Sequence, residues 1–480
     1  MEKVKNALLV FAPAYKDYSR EDINDGPVLG LVSLKHYVTK VQGLNSKIDI
    51  VDGDYTSFDK IKQMIDSGQY QICGIQPKLV SYKNALEIAE YAKSKGLQVI
   101  MGGHHATQLA DNIMKNRHNI VDCVVAGDGE DAFTGLIKGE KFENIANLVY
   151  YKDGQVKRTE QKNAPMTVVD SWDKSDVEQY EKPHELRQGL ERDKQTVSYR
   201  TSGHKGCYKR VTKACYFCGR ADYNLRFKKP EDYVKELTYL SQKTDAEYIW
   251  EVGDDFLQNK KWIKRVVELL KDQPLRKDMF MRIFARSNHI TEDTIPFLKA
   301  LKVRDVIIGF ESADQDILKR IGKGDLRPKD NLLAARLLLV NGMEPLASYC
   351  LGLPGETKET LEKNLAQARE LRDLGIQHLG RPPHVIVANI LEIVPGSPAY
   401  LELLEKMPGK YRDKDDICPV EIQEDYFRTM FKLKNDNEVA MFKLMLKNYS
   451  SQINNVGKYH TFVQGSYSGI KKNQEKERST

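Results

Sequence analysis

The chain has 480 residues, with 74 Lys plus Arg against 68 Asp plus Glu and a formal net charge of +6. That length calls for two or three domains with a substantial core, and so even a charge balance argues against a nucleic-acid partner, which needs a concentrated basic face. No apolar run reaches membrane-spanning length, and the start MEKVKNALLVFAPAY has no small-residue cleavage site behind its short apolar stretch, so a cytoplasmic protein without a membrane partner is expected.

From residue 6 to about 139, short apolar runs alternate with amphipathic stretches. NALLVFAP, KIDIVDGD, QICGIQP, LQVIMGG and CVVAGDG have strand length and β-branched content, and VLGLVSLKHYVTKV, SFDKIKQMIDS, YKNALEIAEYAKSKG and LADNIMKNR between them have helical periodicity. Five strands alternating with helices predict an open parallel sheet of the Rossmann-like kind, with its ligand at the carboxyl ends of the strands, where glycines cluster. ENIANLVYYKDGQVKRTEQ reads as a hairpin around an Asp153-Gly154 turn. These elements make a first domain over 1–158, and the polar, Pro-containing stretch after it, 159–195, reads as a linker.

From 196 to 397 the alternation restarts. TVSYRTS, AEYIWEVGD, MFMRIFARS, DVIIGFES, PLASYCLGLP and HVIVANILEIVP are six strand candidates, separated by helices such as KPEDYVKELTYLSQ and TKETLEKNLAQARELRDLG. Six βα units are two short of a closed eight-fold barrel, so a partial (β/α)6 barrel is expected. Its active site belongs at the carboxyl ends of the strands, where Asp254 and Asp255, Arg286 and Ser287, and Glu311 and Ser312 fall. Residues 398–470 read as a small helical region and 471–480 as a disordered, solvated tail.

The chemistry is concentrated in GCYKRVTKACYFCGR, which holds Cys207, Cys215 and Cys218, three of the seven cysteines. In a reducing compartment such thiols are metal ligands before they are disulfides. A closed zinc site needs a fourth ligand, and only His204 lies near enough in sequence to supply it. A four-iron cluster held by three thiolates keeps one iron open for a ligand.

TSGHKGCYKRVTKACYFC resembles the loop of the radical S-adenosylmethionine superfamily. The resemblance implies that Cys207, Cys215 and Cys218 bind a [4Fe-4S] cluster and that Phe217 flanks the adenine of S-adenosylmethionine. The open iron then chelates S-adenosylmethionine, which is cleaved to methionine and a 5'-deoxyadenosyl radical. The spacing departs from the family: seven residues separate Cys207 from Cys215 where three are usual. A loop absorbs such an insertion at little cost, and Lys209, Arg210 and Lys213 within it are expected to solvate the bulge in preference to serving a substrate. EVGDD sits where the family receives the methionine amino group, which would fall to Gly253, Asp254 and Asp255; an acid pair at a helix N-terminus is the competing reading. IIGFESADQDILKRIGKG, CLGLPGET and IVPGSP look like the later strand ends of the cobalamin-type subgroup, so Glu311 and Ser312 would contact S-adenosylmethionine, and the resemblance carries over less closely to Arg286 and Ser287 at the third strand end. Cys350 is a core residue or, less favourably, a thiol facing the lumen.

GPVLGLVSLKHYV, GGHHAT and VVAGDGEDAF look like the cobalamin-binding domain of the same subgroup. Glycines at strand ends let backbone approach a large flat ligand, and the contacts implied are Gly102, Gly103 and His104, the loop from Lys78 to Ser81, and Gly127, Gly129 and Glu130. None of the ten histidines lies in the Asp-x-His-x-x-Gly pattern by which some cobalamin proteins ligate cobalt. His104 is therefore given a turn or supporting role, and the lower face of the corrin is expected to lack a protein histidine.

The resemblance implies a cobalamin-dependent radical enzyme, foremost a methyltransferase. Such an enzyme would methylate an unactivated carbon of a small-molecule or natural-product substrate, fed by an electron donor such as flavodoxin or ferredoxin. Rearrangement, cyclisation or oxidation with the same cofactors, a corrinoid or metal sensor without activity, and a zinc-stabilised scaffold are the alternatives.

Overall fold

The computed structural model describes residues 5–14, 26–181, 198–222 and 224–457. The first sheet has seven strands: β1 (Ala7–Phe11), β2 (Ile48–Asp52), β3 (Ile72–Gln76), β4 (Gln98–Met101), β5 (Cys123–Val125), β6 (Leu148–Lys152) and β7 (Gln155–Arg158). Their spatial order is β2-β1-β3-β4-β5-β6-β7, with the first five parallel and the last two antiparallel. All five residues of β1 are buried, because helices cover both faces of a parallel sheet and force its strands to be apolar throughout. Leu8 and Val10 pack into one core and Ala7, Leu9 and Phe11 into the other. The hairpin turns at Asp153 (φ 53°) and Gly154 (φ 77°), and it does not stand apart: β6 pairs with β5 and extends the sheet.

The stretch read as linker is ordered chain up to Glu181. A helix, Lys174–Glu181, docks on the first domain with Val177 and Tyr180 buried. The Tyr180 hydroxyl donates to Asp52 Oδ2 at 2.9 Å, and the Lys35 ammonium lies 2.9 Å from Asp176 and 2.7 Å from Asp173. The rest of that stretch, 182–195, and the tail, 471–480, lie outside the described residues.

The second domain opens with β8 (Ser198–Thr201), followed by the short antiparallel ribbon of β9 (His204–Lys205) and β10 (Arg226–Phe227). Then come β11 (Tyr248–Glu251), β12 (Phe280–Ala285), β13 (Val303–Glu311), β14 (Glu344–Leu351) and β15 (Ile386–Ile390). In the six-stranded sheet β8 and β11 to β15 lie side by side in chain order, each parallel to the next, which makes an open βα arc. Helix starts follow from the local chemistry: Pro230, Pro328 and Pro398 sit in first turns, and Asn259, Asp314 and Ser397 accept hydrogen bonds from the first free backbone N–H groups.

The last long helix, Asp436–Val456, closes the free edge at β15. The Ala388 N–H donates to Asn454 Oδ1 at 2.7 Å and the Ser450 hydroxyl donates to the Ala388 carbonyl at 2.6 Å, satisfying edge groups that would otherwise offer themselves to another strand. The loop before Pro419–Met430 reaches back to the first domain, where buried Asp415 accepts from Tyr82 (2.9 Å), Asn116 (2.9 Å) and Arg117 (2.7 Å). Among the described residues no helix is long and apolar enough to cross a membrane.

Candidate active site

The cysteine loop runs between β9 and β10, at the carboxyl end of β8. Gly206 (φ 86°) must be glycine: a Cβ there would lie 2.3 Å from the Asn224 carbonyl oxygen. The insertion is not a solvated bulge. It folds into a short helix, Tyr208–Thr212, and two of its three cations have partners in the site. Arg210 donates to the Cys218 carbonyl (3.0 Å) and the Gly396 carbonyl (3.2 Å), Lys209 lies 3.3 Å from Asp325, and Lys213 alone of the three is exposed. The insertion thus laces the loop to the end of the sixth barrel strand.

All three thiols are half-buried, and Cys218 N–H donates to the Cys215 carbonyl at 2.9 Å in a tight turn. Burial pushes the Cys207 thiol up to about 11 and raises Cys215 as well, so a metal would have to displace their protons. Among the described residues no three His, Cys, Asp or Glu side chains converge at the distances of a single ion. His204 is 1% exposed, its ring stacks on Phe227 at 5.4 Å, and burial holds it neutral with a pKa of about 4; among the described residues it joins no group of three side chains placed to hold a metal ion.

Around this loop the strand ends bring most of the predicted residues together. Gly253 is tight against His204, where a Cβ would meet Cε1 at 2.2 Å. The acid pair divides: Asp254 Oδ2 accepts from Arg220 Nε at 3.1 Å, while fully buried Asp255 lies 2.8 Å from His289 Nδ1. Arg286 pairs with Asp325 at 2.6 Å beneath the Tyr208 ring. Ser287 and Ser312 are buried and turned to helices, donating to Asn331 and Asn364. Glu311, at a bulge in β13 with φ 57°, pairs with Lys323 at 2.7 Å, and that ammonium lies 5.8 Å from the Phe217 ring centre. Cys350 stands on β14 opposite in face to buried Tyr349; burial raises its thiol well above the ordinary value, and it remains half-buried.

Several site residues escape sequence reasoning. Glu251, within the quoted EVGDD stretch, is fully buried and accepts from Gly203 N–H (3.0 Å), Gly253 N–H (3.0 Å) and the Tyr233 hydroxyl (2.6 Å), tying the ends of β8 and β11 together. Burial pushes its pKa up to about 7. Lys323 and Asp325 lie in IGKGD, whose repeated glycines mark a turn close to the site, but only the fold shows their partners.

Between the two domains lies a cavity of about 590 Å³. Gly102, Gly103, His104, Gly127, Gly129 and Glu130 line it, over an apolar floor of Leu9, Ile75, Ile100, Val125 and Phe133. Gly103 (φ 83°) and Gly127 (φ 122°) hold backbone conformations that L side chains rarely adopt, which keeps bare backbone facing the cavity. Lys78 and Ser81 do not line it: Lys78 pairs with Asp54 at 3.4 Å over the Phe11 ring, and the Ser81 hydroxyl caps the Lys78 N–H at 2.8 Å. The barrel supplies the opposite wall with Lys205, Arg220, Asp222 and Arg226. Lys205 bridges to Asp128 (3.2 Å) and Glu130 (2.9 Å), and Arg226 reaches Asp128 at 2.7 Å. His104 takes a supporting place, its Nδ1 accepting the Ala221 N–H at 3.1 Å. An apolar floor, bare glycine backbone and polar groups in the lining fit a large flat ligand with polar edges.

The fold and its cysteine loop define a two-domain α/β protein with a ligand cavity between a doubly wound sheet and an open βα barrel. The B12 binding domain model matches residues 18–137 and the Radical SAM superfamily model residues 204–368. The chain thus carries a B12-binding domain followed by a radical S-adenosylmethionine domain. It is 27% identical over 384 residues to an uncharacterized methyltransferase of Pyrococcus horikoshii, covering 77% of this chain and 79% of the relative. It is 24% identical to an anaerobic magnesium-protoporphyrin IX monomethyl ester cyclase of Rubrivivax gelatinosus, covering 76% of this chain and 65% of that one. Among solved structures, the radical S-adenosylmethionine methyltransferase TsrM of Kitasatospora setae, with cobalamin and a [4Fe-4S] cluster bound, matches with TM-score 0.63 at 15% identity, covering 85% of this chain and 76% of that one. The cobalamin-dependent radical enzyme OxsB, with aqua-cobalamin and S-adenosylmethionine bound, matches with TM-score 0.64 at 15% identity over 94% of this chain and 72% of that one.

Proposed function

We propose that the protein is a cobalamin-dependent radical S-adenosylmethionine methyltransferase acting on a small-molecule substrate. The observation that carries this reading is the seam between the sites: Ala221, three residues after Cys218, donates to His104 in the glycine-rich wall of the cavity at 3.1 Å. Two reactive centres placed so close in one chain replace a bimolecular encounter by fixed geometry. When bound, the [4Fe-4S] cluster with S-adenosylmethionine supplies a 5'-deoxyadenosyl radical, and cobalamin supplies a methyl group.

Cys207, Cys215 and Cys218 hold the cluster in this reading, and Arg210 and Gly206 shape their loop. Gly253, Asp254 and Glu311 offer backbone and carboxylates to S-adenosylmethionine, with Phe217 beside its adenine. Asp255, Arg286, Ser287 and Ser312 support that wall through His289, Asp325, Asn331 and Asn364. Gly102, Gly103, His104, Gly127, Gly129 and Glu130 receive the cobalamin. The cluster requires a one-electron donor such as flavodoxin or ferredoxin, and reduced thiols suit the cytoplasm.

The test supplies reduced, cofactor-loaded protein with S-adenosylmethionine and measures two products. S-adenosylhomocysteine together with 5'-deoxyadenosine supports methyl transfer. 5'-Deoxyadenosine alone decides for a rearrangement, cyclisation or oxidation, the kind of chemistry named for the cyclase relative. Neither product leaves a binding protein and overturns the proposal.

A further inference from the structure

Arg220 belongs to a stretch of chain that touches both cofactor sites. It follows Cys218 by two residues and lines the interdomain cavity. Its Nε lies 3.1 Å from Asp254 Oδ2 and 3.5 Å from Asp222 Oδ2, so two carboxylates from different loops orient the guanidinium. Its own carbonyl accepts from Gln108 Nε2 at 3.2 Å, and the next N–H, that of Ala221, is bound to His104. The guanidinium is therefore held by two carboxylates of the second domain and the backbone beside it by side chains of the first, at the wall of a cavity whose floor is apolar.

We propose that Arg220 is a positioning residue shared by the two sites, whose positive charge offsets Asp222 and Asp254 at the cavity wall and so makes a bound corrinoid's cobalt easier to reduce than those two carboxylates alone would allow. The inference rests on the cobalamin reading above. A metal that gains an electron gains one unit of negative charge, and a cation that offsets nearby carboxylates favours that state. Replacing Arg220 by Gln keeps a hydrogen-bonding side chain but leaves Asp222 and Asp254 without their cation. Lysine keeps the charge and loses the planar fork.

The test loads full-length wild type, Arg220→Lys and Arg220→Gln with hydroxocobalamin under anaerobic conditions. Two quantities are read: the cobalamin retained after gel filtration, and the Co(II)/Co(I) midpoint potential by spectroelectrochemical titration. The expected result is a Lys variant close to wild type and a Gln variant shifted to more negative potential, with the ratio of reduced to oxidised cobalt at a fixed applied potential lower by roughly tenfold. An unchanged midpoint in cobalamin still held by the Gln variant overturns the proposal. Equal loss of cobalamin from both variants, with unchanged midpoints in what remains, also overturns it, because Arg220 then only docks the domains. Failure of wild type to hold cobalamin instead removes the reading on which the inference rests.

Discussion

The Lys323 ammonium lies 2.7 Å from Glu311 Oε1 and 5.8 Å from the centre of the Phe217 ring, so one buried ion pair joins a strand end to the cysteine loop. Burial works to lower the Lys323 pKa, but Glu311 and then Cys215 outweigh it, and the amine is held charged above its ordinary value. Replacing Lys323 with Met leaves Glu311 buried and alone, which costs about 3–5 kcal/mol in urea unfolding. The double variant Lys323→Met, Glu311→Leu recovers much of that stability. In equilibrium dialysis neither variant recovers S-adenosylmethionine binding.

Gly206 governs the entry to the cysteine loop. A methyl group there meets the Asn224 carbonyl at 2.3 Å, and the backbone is left-handed as well. Gly206→Ala is expected to lose most reconstituted iron, measured per chain. Gly154→Ala, at an open turn with nothing within 4 Å of the added methyl, retains it.

Glu356 is 4% exposed beyond β14, where it accepts the Gly352 N–H, and burial pushes its pKa from 4.5 to about 8. Between pH 4.5 and 8 the unfolded chain has released this proton and the folded chain has not. Stability contributed by this group therefore falls as pH rises through that window, by up to about 1.4 kcal/mol per pH unit, and is level on either side. Glu356→Gln keeps an acceptor for Gly352 and removes the slope. The check is the difference between the pH dependences of the two unfolding free energies.

Asp415 clasps the carboxy-terminal region to the first domain through Tyr82, Asn116 and Arg117. Asp415→Ala leaves a buried tyrosine hydroxyl and a half-buried guanidinium without their acceptor and costs about 2–3 kcal/mol. Limited proteolysis is expected to cut the variant between its domains sooner than wild type, with denaturant unfolding giving the energy.

What can be read from the sequence follows from the range over which each signal acts. Parallel strands such as β1 and β13 show as apolar runs because each is buried by its own pleat and neighbours, and the cysteine pattern stays legible despite about four extra residues between Cys207 and Cys215 because it is chain-local. The helix Lys174–Glu181 escapes because its anchors Val177 and Tyr180 are too few to set a periodicity. Tyr208–Thr212 escapes because five residues are too short to show one. Arg210, Arg220 and Lys323 look like solvated cations in the sequence. Their partners Gly396, Asp254 and Glu311 lie on other strand ends, and only the closed arc brings them together. Lys78 and Ser81 show the converse: a loop at a strand end resembles a binding loop, and in the fold its side chains engage Asp54 and the loop's own backbone.

The central claim is that one chain carries both an iron–sulfur cluster and a cobalamin. It is tested most directly by anaerobic reconstitution with iron, sulfide and hydroxocobalamin, followed by quantification of all three metals and of sulfide: iron, cobalt and zinc per chain. The account predicts about four irons with matching sulfide and one cobalt per chain. Four irons without cobalt would contradict the assignment of the interdomain cavity, and zinc in place of iron would contradict the mechanism from its first step.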